Sequence, residues 1–331
     1  MKHNYICFDL EGPLTPQDNA YDLMSLFPSG DKIFEVISRY DDLLTMEGRQ
    51  DYEPGDTLAL IIPFLLLHDI SEDDIAALAR KATLTGGAKK LISWLVANGW
   101  QVFCISTTYE QYAWRITKKL GIDEINVACT NFPLDELRHT LCKIDTPFLK
   151  KIEEDILKMS EDKDDLAIKH RLDDFFWHRL PQTDIGRIIH KVKPIGGRRK
   201  VEALKKFCEE HHKSPSDWVY IGDSITDFRV LKEVDSAGGL AIAFNANRYA
   251  LPYATMSLAS THISDLKEIL LLWLKNGRSA VESSIRQIKN TPRLSDRKQF
   301  HWLADKQEIN GIVSIHGNMR RKLRDEAGKL G

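Results

Sequence analysis

The chain has 331 residues, of which 43% are hydrophobic and 28% are charged, and its formal net charge is −2. This composition is close to the average for globular proteins, so it excludes collagen-like, intrinsically disordered and disulfide-scaffold proteins. The 46 basic and 48 acidic residues nearly cancel, which argues against a general nucleic-acid binder. The length accommodates one large domain or two modest domains with a buried core.

Apolar runs and cysteines together predict a cytoplasmic location. The longest apolar run covers residues 58–67 and contains Pro63, whereas a membrane-spanning helix needs about 20 apolar residues. We therefore expect no membrane insertion. A strand-like run begins within a few residues of the first position, so we also expect no signal peptide. Five cysteines without a CxxC pair indicate reduced thiols.

Short apolar runs alternate with helical patterns along most of the chain. Strands are predicted at residues 5–10, 102–106, 127–130, 218–222 and 240–244. Nearly continuous apolar strands separated by helices indicate a parallel sheet covered on both faces. Right-handed crossovers then give a doubly wound, Rossmann-like α/β fold. Ligands of such sheets bind at the carboxyl ends of the strands, where we expect Asp9, Ser106 and Asp223.

Three other segments have helical patterns without strands. Residues 16–84 predict a helical cap, residues 134–192 a second helical insert and residues 276–331 a helical C-terminal tail. The core is then formed by residues 1–15, 85–133 and 193–275. In the insert, an apolar stripe at helical spacing predicts core packing; it consists of Phe148, Ile152, Ile156 and Met159. The tail is rich in Lys and Arg, for which we expect a solvated face, with docking of a partner as the alternative.

Two pairs of acidic residues follow predicted strands. Asp9 and Glu11 end the first strand, and alternation along an extended chain directs both carboxylates to one side. Two such acids ionise together at low cost only if a cation lies between them or one of them carries a proton. Asp223 and Asp227 follow a later strand and suit a hard cation such as Mg²⁺. Taken alone, this second pair is explained equally well by an N-capping aspartate and a surface aspartate.

Two further signals are weak when they are taken singly. Ser106 and Thr107 end the second predicted strand, where hydroxyl groups and turn backbone donate hydrogen bonds to phosphate. Lys200 begins a predicted helix, a position at which lysine is ordinarily exposed to solvent. The informative feature is the order of all four motifs along the chain.

This order resembles the haloacid dehalogenase (HAD) superfamily over residues 1–275. Its motifs run strand-Asp-x-Glu-Gly, strand-Ser, helix-Lys and strand-Gly-Asp-Ser-x-x-Asp in this sequence. The resemblance implies that Asp9 is a nucleophile that forms an aspartyl-phosphate and that Glu11 is the general acid and base. It also implies Mg²⁺ as the cofactor. The residues implied for phosphate are Ser106, Thr107 and Lys200, and those for the metal are Asp9, Glu11 through its carbonyl, Asp223 and Asp227.

Within the superfamily, the chain is similar to the phosphoserine-phosphatase-like branch with a helical cap, and to its Asp-Leu-Glu-Gly subset. It also resembles the HAD-like family of energy-converting hydrogenase A subunit R, which belongs to methanogenic archaea. The residues behind this second resemblance are Glu11-Gly-Pro-Leu14, Asp18-Asn-Ala-Tyr21, Ser38-Arg-Tyr-Asp-Asp42 and Pro54-Gly-Asp-Thr-Leu58.

One departure from the branch concerns the substrate. In phosphoserine phosphatases, a cap aromatic is followed seven residues later by an arginine that binds the substrate carboxylate. Tyr52 matches the aromatic residue, but Ala59 stands at the arginine position, and a methyl group forms no bidentate contact with a carboxylate. Asp18 matches the acid that contacts the amine, and Arg39 or Arg49 is an alternative carboxylate ligand. We therefore expect an Mg²⁺-dependent phosphatase for a small phosphorylated metabolite other than L-phosphoserine.

Two other functions stay open. A phosphotransferase would pass the phosphoryl group from Asp9 to an alcohol instead of water. A non-catalytic accessory subunit of an energy-converting hydrogenase complex would use the insert and the tail as docking surfaces, although the complete set of catalytic residues argues against this function. Homodimer formation and association with a hydrogenase complex are both open, and no nucleic-acid partner is expected.

Overall fold

The structure is a computed structural model that describes residues 4–138, 145–161, 164–189, 191–289, 298–305 and 309–324. Cys142 and parts of the predicted insert and tail lie outside the described residues. The four described cysteines, Cys7, Cys104, Cys129 and Cys208, are free thiols. In the described residues, no helix combines the length and the apolar character that crossing a bilayer requires.

Seven strands form one sheet in the order β3-β2-β1-β4-β5-β6-β7. The strands are β1 (Asn4–Phe8), β2 (Trp100–Tyr109), β3 (Val127–Thr130), β4 (Trp218–Gly222), β5 (Leu240–Phe244), β6 (Met256–Ser260) and β7 (Lys298–Trp302). Strands β1 to β6 pair in parallel, and β7 pairs with β6 in antiparallel orientation. This arrangement confirms the predicted doubly wound α/β fold.

Helices cover both faces of the sheet and form the two inserted segments. They are α1 (Asn19–Met24), α2 (Gly30–Glu47), α3 (Thr57–Leu60), α4 (Ile62–Leu67), α5 (Glu72–Lys81), α6 (Ala88–Ala97), α7 (Glu110–Leu120), α8 (Leu134–Arg138), α9 (Asp145–Met159), α10 (Asp165–Asp173), α11 (Asp184–Ile189), α12 (Arg198–Glu210), α13 (Phe228–Ala237), α14 (Lys267–Lys289) and α15 (Ile309–Arg324). A π-helical turn, Asp174–Arg179, follows α10. The first five helices occupy the segment predicted as a cap.

The second insert packs against the cap helices. The predicted apolar stripe of α9 is confirmed, since Ile152, Ile156 and Met159 are buried and the partly buried Phe148 packs against the core cluster that contains them. Polar contacts join the same surfaces: the Trp177 indole N–H donates to the Tyr40 hydroxyl oxygen over 2.7 Å. The insert therefore enlarges the helical cap above the sheet.

The C-terminal segment differs from the solvated helical tail that its composition predicts. It supplies the edge strand β7, and helix α15 packs against β6. His316 on α15 is completely buried, and burial lowers the pKa of its imidazole to about 3, so the ring is neutral. Its Nδ1 accepts a hydrogen bond from the Ala246 N–H over 3.0 Å, and its Nε2 donates to the Ser257 hydroxyl over 3.0 Å. A count of charges could not reveal that one face of this basic helix belongs to the core.

The edge strand β7 is expected to contribute to global stability through Phe300, which is 5% exposed and lies opposite Leu258 of β6. Replacing Phe300 with Ala should lower the free energy of unfolding by about 3–5 kcal/mol, because it leaves a cavity in a packed core. Lys298 on the same strand is a matched control, since its ion pair with Glu268 is exposed and its replacement by Ala should cost less than about 1 kcal/mol. Equal effects in urea unfolding would contradict the placement of β7.

Candidate active site

The carboxyl ends of β1 and β4 bring three acidic side chains together. Asp9 directly follows β1, and its N–H donates to the Ile221 carbonyl of β4 over 2.8 Å. Asp223 directly follows β4, and Asp227 lies four residues later. These three residues are at most 4% exposed, and each offers a carboxylate oxygen within 4.8 Å of the others. Two parallel strands thus create one buried acidic cluster.

A glycine turn follows Asp9 and closes over this cluster. Gly12 has a φ of +98°, and its N–H donates to the Thr15 carbonyl over 2.7 Å. A Cβ at this position would lie 2.4 Å from the Asp223 carboxyl carbon. Both the backbone conformation and the close approach to Asp223 therefore require glycine.

Lys200 supplies a buried cation to the acidic cluster. It lies in the first turn of α12 with no solvent exposure, and its Nζ is 2.9 Å from Asp9 Oδ2 and 2.8 Å from Asp227 Oδ1. Burial by itself lowers the pKa of the Lys200 amine, but the charges of Asp227 and Asp9 outweigh this effect and raise it. The side chain is therefore a permanent cation shared by two carboxylates.

Asp227 is held in its ionised form by a dense set of donors. Its Oδ1 also accepts from the Tyr220 hydroxyl over 2.7 Å, and its Oδ2 accepts from the backbone N–H groups of Asp223 and Ser224 over 2.9 and 3.1 Å. Burial raises the pKa of the Asp227 carboxyl, but Lys200 and these donors reverse the shift and lower it. Both oxygens of Asp227 are thus occupied by protein donors.

The negative charge of Asp9 is balanced by fewer hydrogen-bond donors than that of Asp227. Its Oδ1 accepts from the Leu10 N–H over 2.7 Å, and its Oδ2 contacts Lys200. Burial is the main cause that raises the pKa of the Asp9 carboxyl, followed by the charge of Asp227, while Lys200 opposes the shift. Because one lysine serves two carboxylates, the cluster retains excess negative charge beside Asp9.

The donor set suits a hard divalent cation. Mg²⁺ prefers oxygen ligands and is usually held by one or two carboxylates together with water and phosphate. The buried oxygens of Asp9 and Asp223 provide such ligands, and the excess negative charge beside Asp9 favours a cation there. The residues present therefore fit the ion that the sequence resemblance implies.

A cavity of about 130 Å³ opens above the cluster, between the sheet edge and the cap. Its wall is strongly acidic, with the carboxylates of Asp9, Glu11, Asp18, Asp41, Asp42 and Asp223. Asp18 is the N-cap of α1, and Asp41 and Asp42 lie in α2, so the sheet edge and the cap build the cavity together. A small ligand bound here would contact both parts of the chain.

The comparisons with known proteins agree with this architecture. No family model matches the chain, and no curated protein matches it in sequence. The structure of gene product AF1437 from Archaeoglobus fulgidus is similar with a TM-score of 0.85 and 25% identity, and the match covers 100% of this chain and 99% of that chain. A phosphoserine phosphatase solved as a phospho-aspartyl intermediate analogue is similar with a TM-score of 0.52 and 18% identity, over 81% of this chain and 99% of that chain. A substrate-bound phosphoserine phosphatase has a TM-score of 0.52 and 17% identity, over 81% and 98% of the two chains. This chain has the HAD fold.

Three other residues predicted for the site line the cavity of this HAD fold. Glu11 Oε1 accepts a hydrogen bond from the Asn19 N–H over 2.6 Å, which ties the turn after β1 to the first cap helix. Asp18 is the N-cap of that helix and accepts from the Tyr21 N–H over 3.1 Å. The Thr107 hydroxyl also borders the cavity and donates to the Ile195 carbonyl over 3.0 Å.

Two predicted residues lie behind the cavity wall. Ser106 is completely buried in β2, and its hydroxyl oxygen accepts from the Thr108 N–H over 3.2 Å. Tyr52 is 7% exposed, and its hydroxyl donates to Asp41. Tyr52 thus supports an acidic residue of the wall.

The two arginines considered for a substrate carboxylate contact the second insert. Arg39 forms an ion pair with Asp165. Arg49 lies 3.2 Å from Asp173 and stacks over the Trp177 ring at 4.3 Å from its centroid. In the described residues, therefore, both guanidinium groups join the cap to the insert.

One residue of the cavity wall was missed by the sequence analysis. Arg320 on α15 is 6% exposed, and its Nη1 contacts Asp223 Oδ2. It stands in a basic stretch that was interpreted as solvated. A signal was present, since Val313, His316 and Arg320 recur at helical spacing on one face of α15.

Asp41 makes stability dependent on pH. Burial raises the pKa of its carboxyl from 3.8 to about 7, with smaller contributions from the charges of Asp42 and Asp56, while hydrogen bonds from Tyr52 and Thr57 oppose the shift. The folded protein therefore binds more protons than the unfolded chain between these two values, so stability falls as pH rises from about 4 through 7.

The asparagine side chain of Asp41→Asn does not ionise, so this variant should not lose stability in this way as the pH rises. We expect its free energy of unfolding, relative to wild type, to rise by about 2 kcal/mol between pH 5 and pH 8 in urea titrations. The exposed Asp123→Asn is the control and should give no such pH-dependent gain. A difference between Asp41→Asn and wild type that is the same at both pH values would show that Asp41 is ionised throughout.

Proposed function

We propose that this chain is an Mg²⁺-dependent phosphatase that hydrolyses a small-molecule phosphomonoester through an aspartyl-phosphate on Asp9. The observation that supports it best is the buried cluster of Asp9, Asp223, Asp227 and Lys200, which comes from three separate stretches of the chain. Burying several charges costs free energy unless they are well paired, and such clusters in a cavity floor are typical of catalytic sites.

In the first half of the proposed reaction, a carboxylate oxygen of Asp9 attacks the phosphorus atom. A bond forms between Asp9 and phosphorus, and the bond from phosphorus to the ester oxygen breaks. Glu11, protonated at the start, gives its proton to the departing oxygen and becomes a carboxylate. The position of Glu11 supports this role, because it lies two residues after Asp9 and lines the same cavity.

In the second half, Glu11 accepts a proton from a water molecule as the water oxygen attacks phosphorus. The bond between Asp9 and phosphorus breaks, phosphate leaves, and the Asp9 carboxylate and protonated Glu11 are restored. Lys200 holds Asp9 throughout, since its Nζ remains beside the Asp9 carboxylate in the buried floor. The cap covers the cavity and limits the access of bulk water to the site.

Charge repulsion explains why the site needs a cation. Two unit charges of the same sign at about 4 Å repel by roughly 4 kcal/mol at an effective dielectric constant near 20. Asp9 and Asp223, with the Glu11 carbonyl, would hold Mg²⁺. When bound there, Mg²⁺ supplies positive charge beside the transferring phosphoryl oxygens. Asp227 acts in our proposal by orienting Lys200, because two protein donors occupy each of its oxygens, whereas each oxygen of Asp9 has one.

The side chains of the cap support our proposal that the preferred substrate is not L-phosphoserine. Ala59 stands at the position of the carboxylate-binding arginine, and both alternative arginines, Arg39 and Arg49, contact the second insert. The cap side of the cavity presents the acidic side chains of Asp41 and Asp42 instead. In their ionised forms, which for Asp41 requires a pH above its pKa of about 7, these side chains repel the carboxylate that phosphoserine carries.

Substrate preference is testable with a panel of small phosphomonoesters in the presence of Mg²⁺. We expect kcat/KM for L-phosphoserine to be at least about tenfold below that of the best substrate, because the described cap side of the cavity has no arginine for a bidentate carboxylate contact. Phosphate release with and without added alcohols distinguishes hydrolysis from transfer to an acceptor. L-phosphoserine as the best substrate would refute this prediction.

Removing the nucleophile should abolish turnover. We expect Asp9→Asn to lower kcat by about 10⁴-fold or more on the best substrate, since the amide oxygen is a poor nucleophile. Chelation of divalent ions should also abolish wild-type turnover, and added Mg²⁺ should restore it. The exposed Asp123→Asn is the matched control and should keep wild-type activity. An Asp9→Asn variant that retains a tenth of the activity would rule out the proposed reaction.

A further inference from the structure

The described wall of the cavity carries one cationic side chain, which is paired with Asp223. Six carboxylates line the cavity, and among its described lining residues the one cationic side chain is Arg320. Lys200 lies in the floor with no solvent exposure, and its Nζ already bridges Asp9 and Asp227. A phosphate that enters this cavity therefore meets a guanidinium from the C-terminal helix before it meets the buried lysine.

Arg320 is placed beside the reacting group of the proposed reaction. Its Nη1 contacts Oδ2 of Asp223, the acid that lies next to Asp9 in the buried cluster. Lys200 contacts Asp9 from α12, whereas Arg320 reaches the cluster from α15. A guanidinium is planar, carries five N–H donors and matches the oxygens of a phosphate group.

Helix α15, which carries Arg320, is hydrogen-bonded to the loop beside the site through His316, one helical turn before Arg320. His316 is neutral and completely buried, and its Nδ1 accepts from the Ala246 N–H over 3.0 Å. The next residue, Asn247, lines the cavity, and its N–H donates to the Asp223 carbonyl over 2.8 Å. The loop that supports Asp223 thus also fixes α15, so the guanidinium occupies a built position in the wall.

We propose that Arg320 is a catalytic residue that binds the phosphoryl oxygens of the substrate. This inference rests on the proposed phosphatase function and assigns phosphate recognition in that site to the C-terminal helix. Negative charge spreads over the three phosphoryl oxygens in the transition state, and a fixed guanidinium stabilises it. Binding of phosphate oxygens by Arg320 would offset the repulsion from the acidic wall.

The first test measures phosphate affinity and turnover in variants of adjacent residues on α15. Inorganic phosphate is titrated calorimetrically into Arg320→Met, Arg320→Lys and Arg321→Met, each with Mg²⁺. Arg321 is exposed and contacts Asn318, which makes it the matched control. We expect Arg320→Met to weaken phosphate binding at least about tenfold and to lower kcat/KM about 10²–10³-fold. Arg320→Lys should retain part of both, and Arg321→Met should match wild type within about twofold.

A second measurement separates phosphate binding from support of the metal ligand. Titration with Mg²⁺ alone should give equal or tighter binding in Arg320→Met, because a cation next to Asp223 has been removed. Added guanidinium at low millimolar concentration should restore turnover to Arg320→Ala. Unchanged phosphate affinity and kcat/KM in Arg320→Met would overturn the inference, as would Mg²⁺ binding that weakens by the same factor as phosphate binding.

Failure of the proposed function has a different signature. If the wild-type protein turns over no phosphomonoester and binds no phosphate, the phosphatase proposal fails, and the inference about Arg320 fails with it. If the wild type is active and Arg320→Met equals it, only the inference about Arg320 fails. Arg320→Lys keeps the positive charge, so it provides a second comparison if Arg320→Met lowers the unfolding temperature.

Discussion

A buried ion cluster of Lys200 with Asp9 and Asp227 holds the floor of the site together. One Nζ lies within 3 Å of two carboxylate oxygens and has no solvent exposure. It joins β1 to α12 and the turn after β4; the cap and the insert lie between β1 and α12 in the sequence, whereas Lys200 and Asp227 are only 27 positions apart. Loss of one partner would leave a buried charge without compensation, which costs about 3–5 kcal/mol in proteins.

The same cluster determines what the cavity can do. Because Lys200 is shared, negative charge accumulates beside Asp9 and Asp223, and further negative charge comes from the cap. A small phosphorylated molecule is accommodated only if other cations compensate this field. A divalent ion at the strand ends and the guanidinium of Arg320 are the two sources that our account assigns. The cap helices line the site, and the described helices of the insert pack against the cap.

The sequence predicted the sheet well where strands are continuously apolar. The strands that deliver Asp9 and Asp223 have buried residues at nearly every position, so hydrophobicity locates them without ambiguity. The order of the motifs then indicated which side chains would share the edge. In contrast, two of the five residues of β6 are serines, and β7 lies in a basic segment, so neither strand has a clear apolar signal.

The contacts of the C-terminal segment were harder to predict for a physical reason. Arg320 and Asp223 are separated by 97 positions, and no local preference links a helical arginine to a distant strand end. The two buried hydrogen bonds of His316 likewise join α15 to Ala246 and Ser257, which are 70 and 59 positions away. The contact of Tyr52 was also not predictable from the sequence. We expected Tyr52 to contact a substrate, but its hydroxyl donates to Asp41, eleven positions away.

The most direct measurement is the location of the phosphoryl group during turnover. The protein is mixed with its best phosphomonoester carrying a labelled phosphoryl group, quenched in acid, digested and analysed by mass spectrometry. Our account predicts an acid-stable, base-labile phosphoryl group on the peptide that contains Asp9, and on no other peptide. Turnover with the phosphoryl group on another residue, or with no labelled peptide under conditions that trap acyl phosphates, would contradict the account.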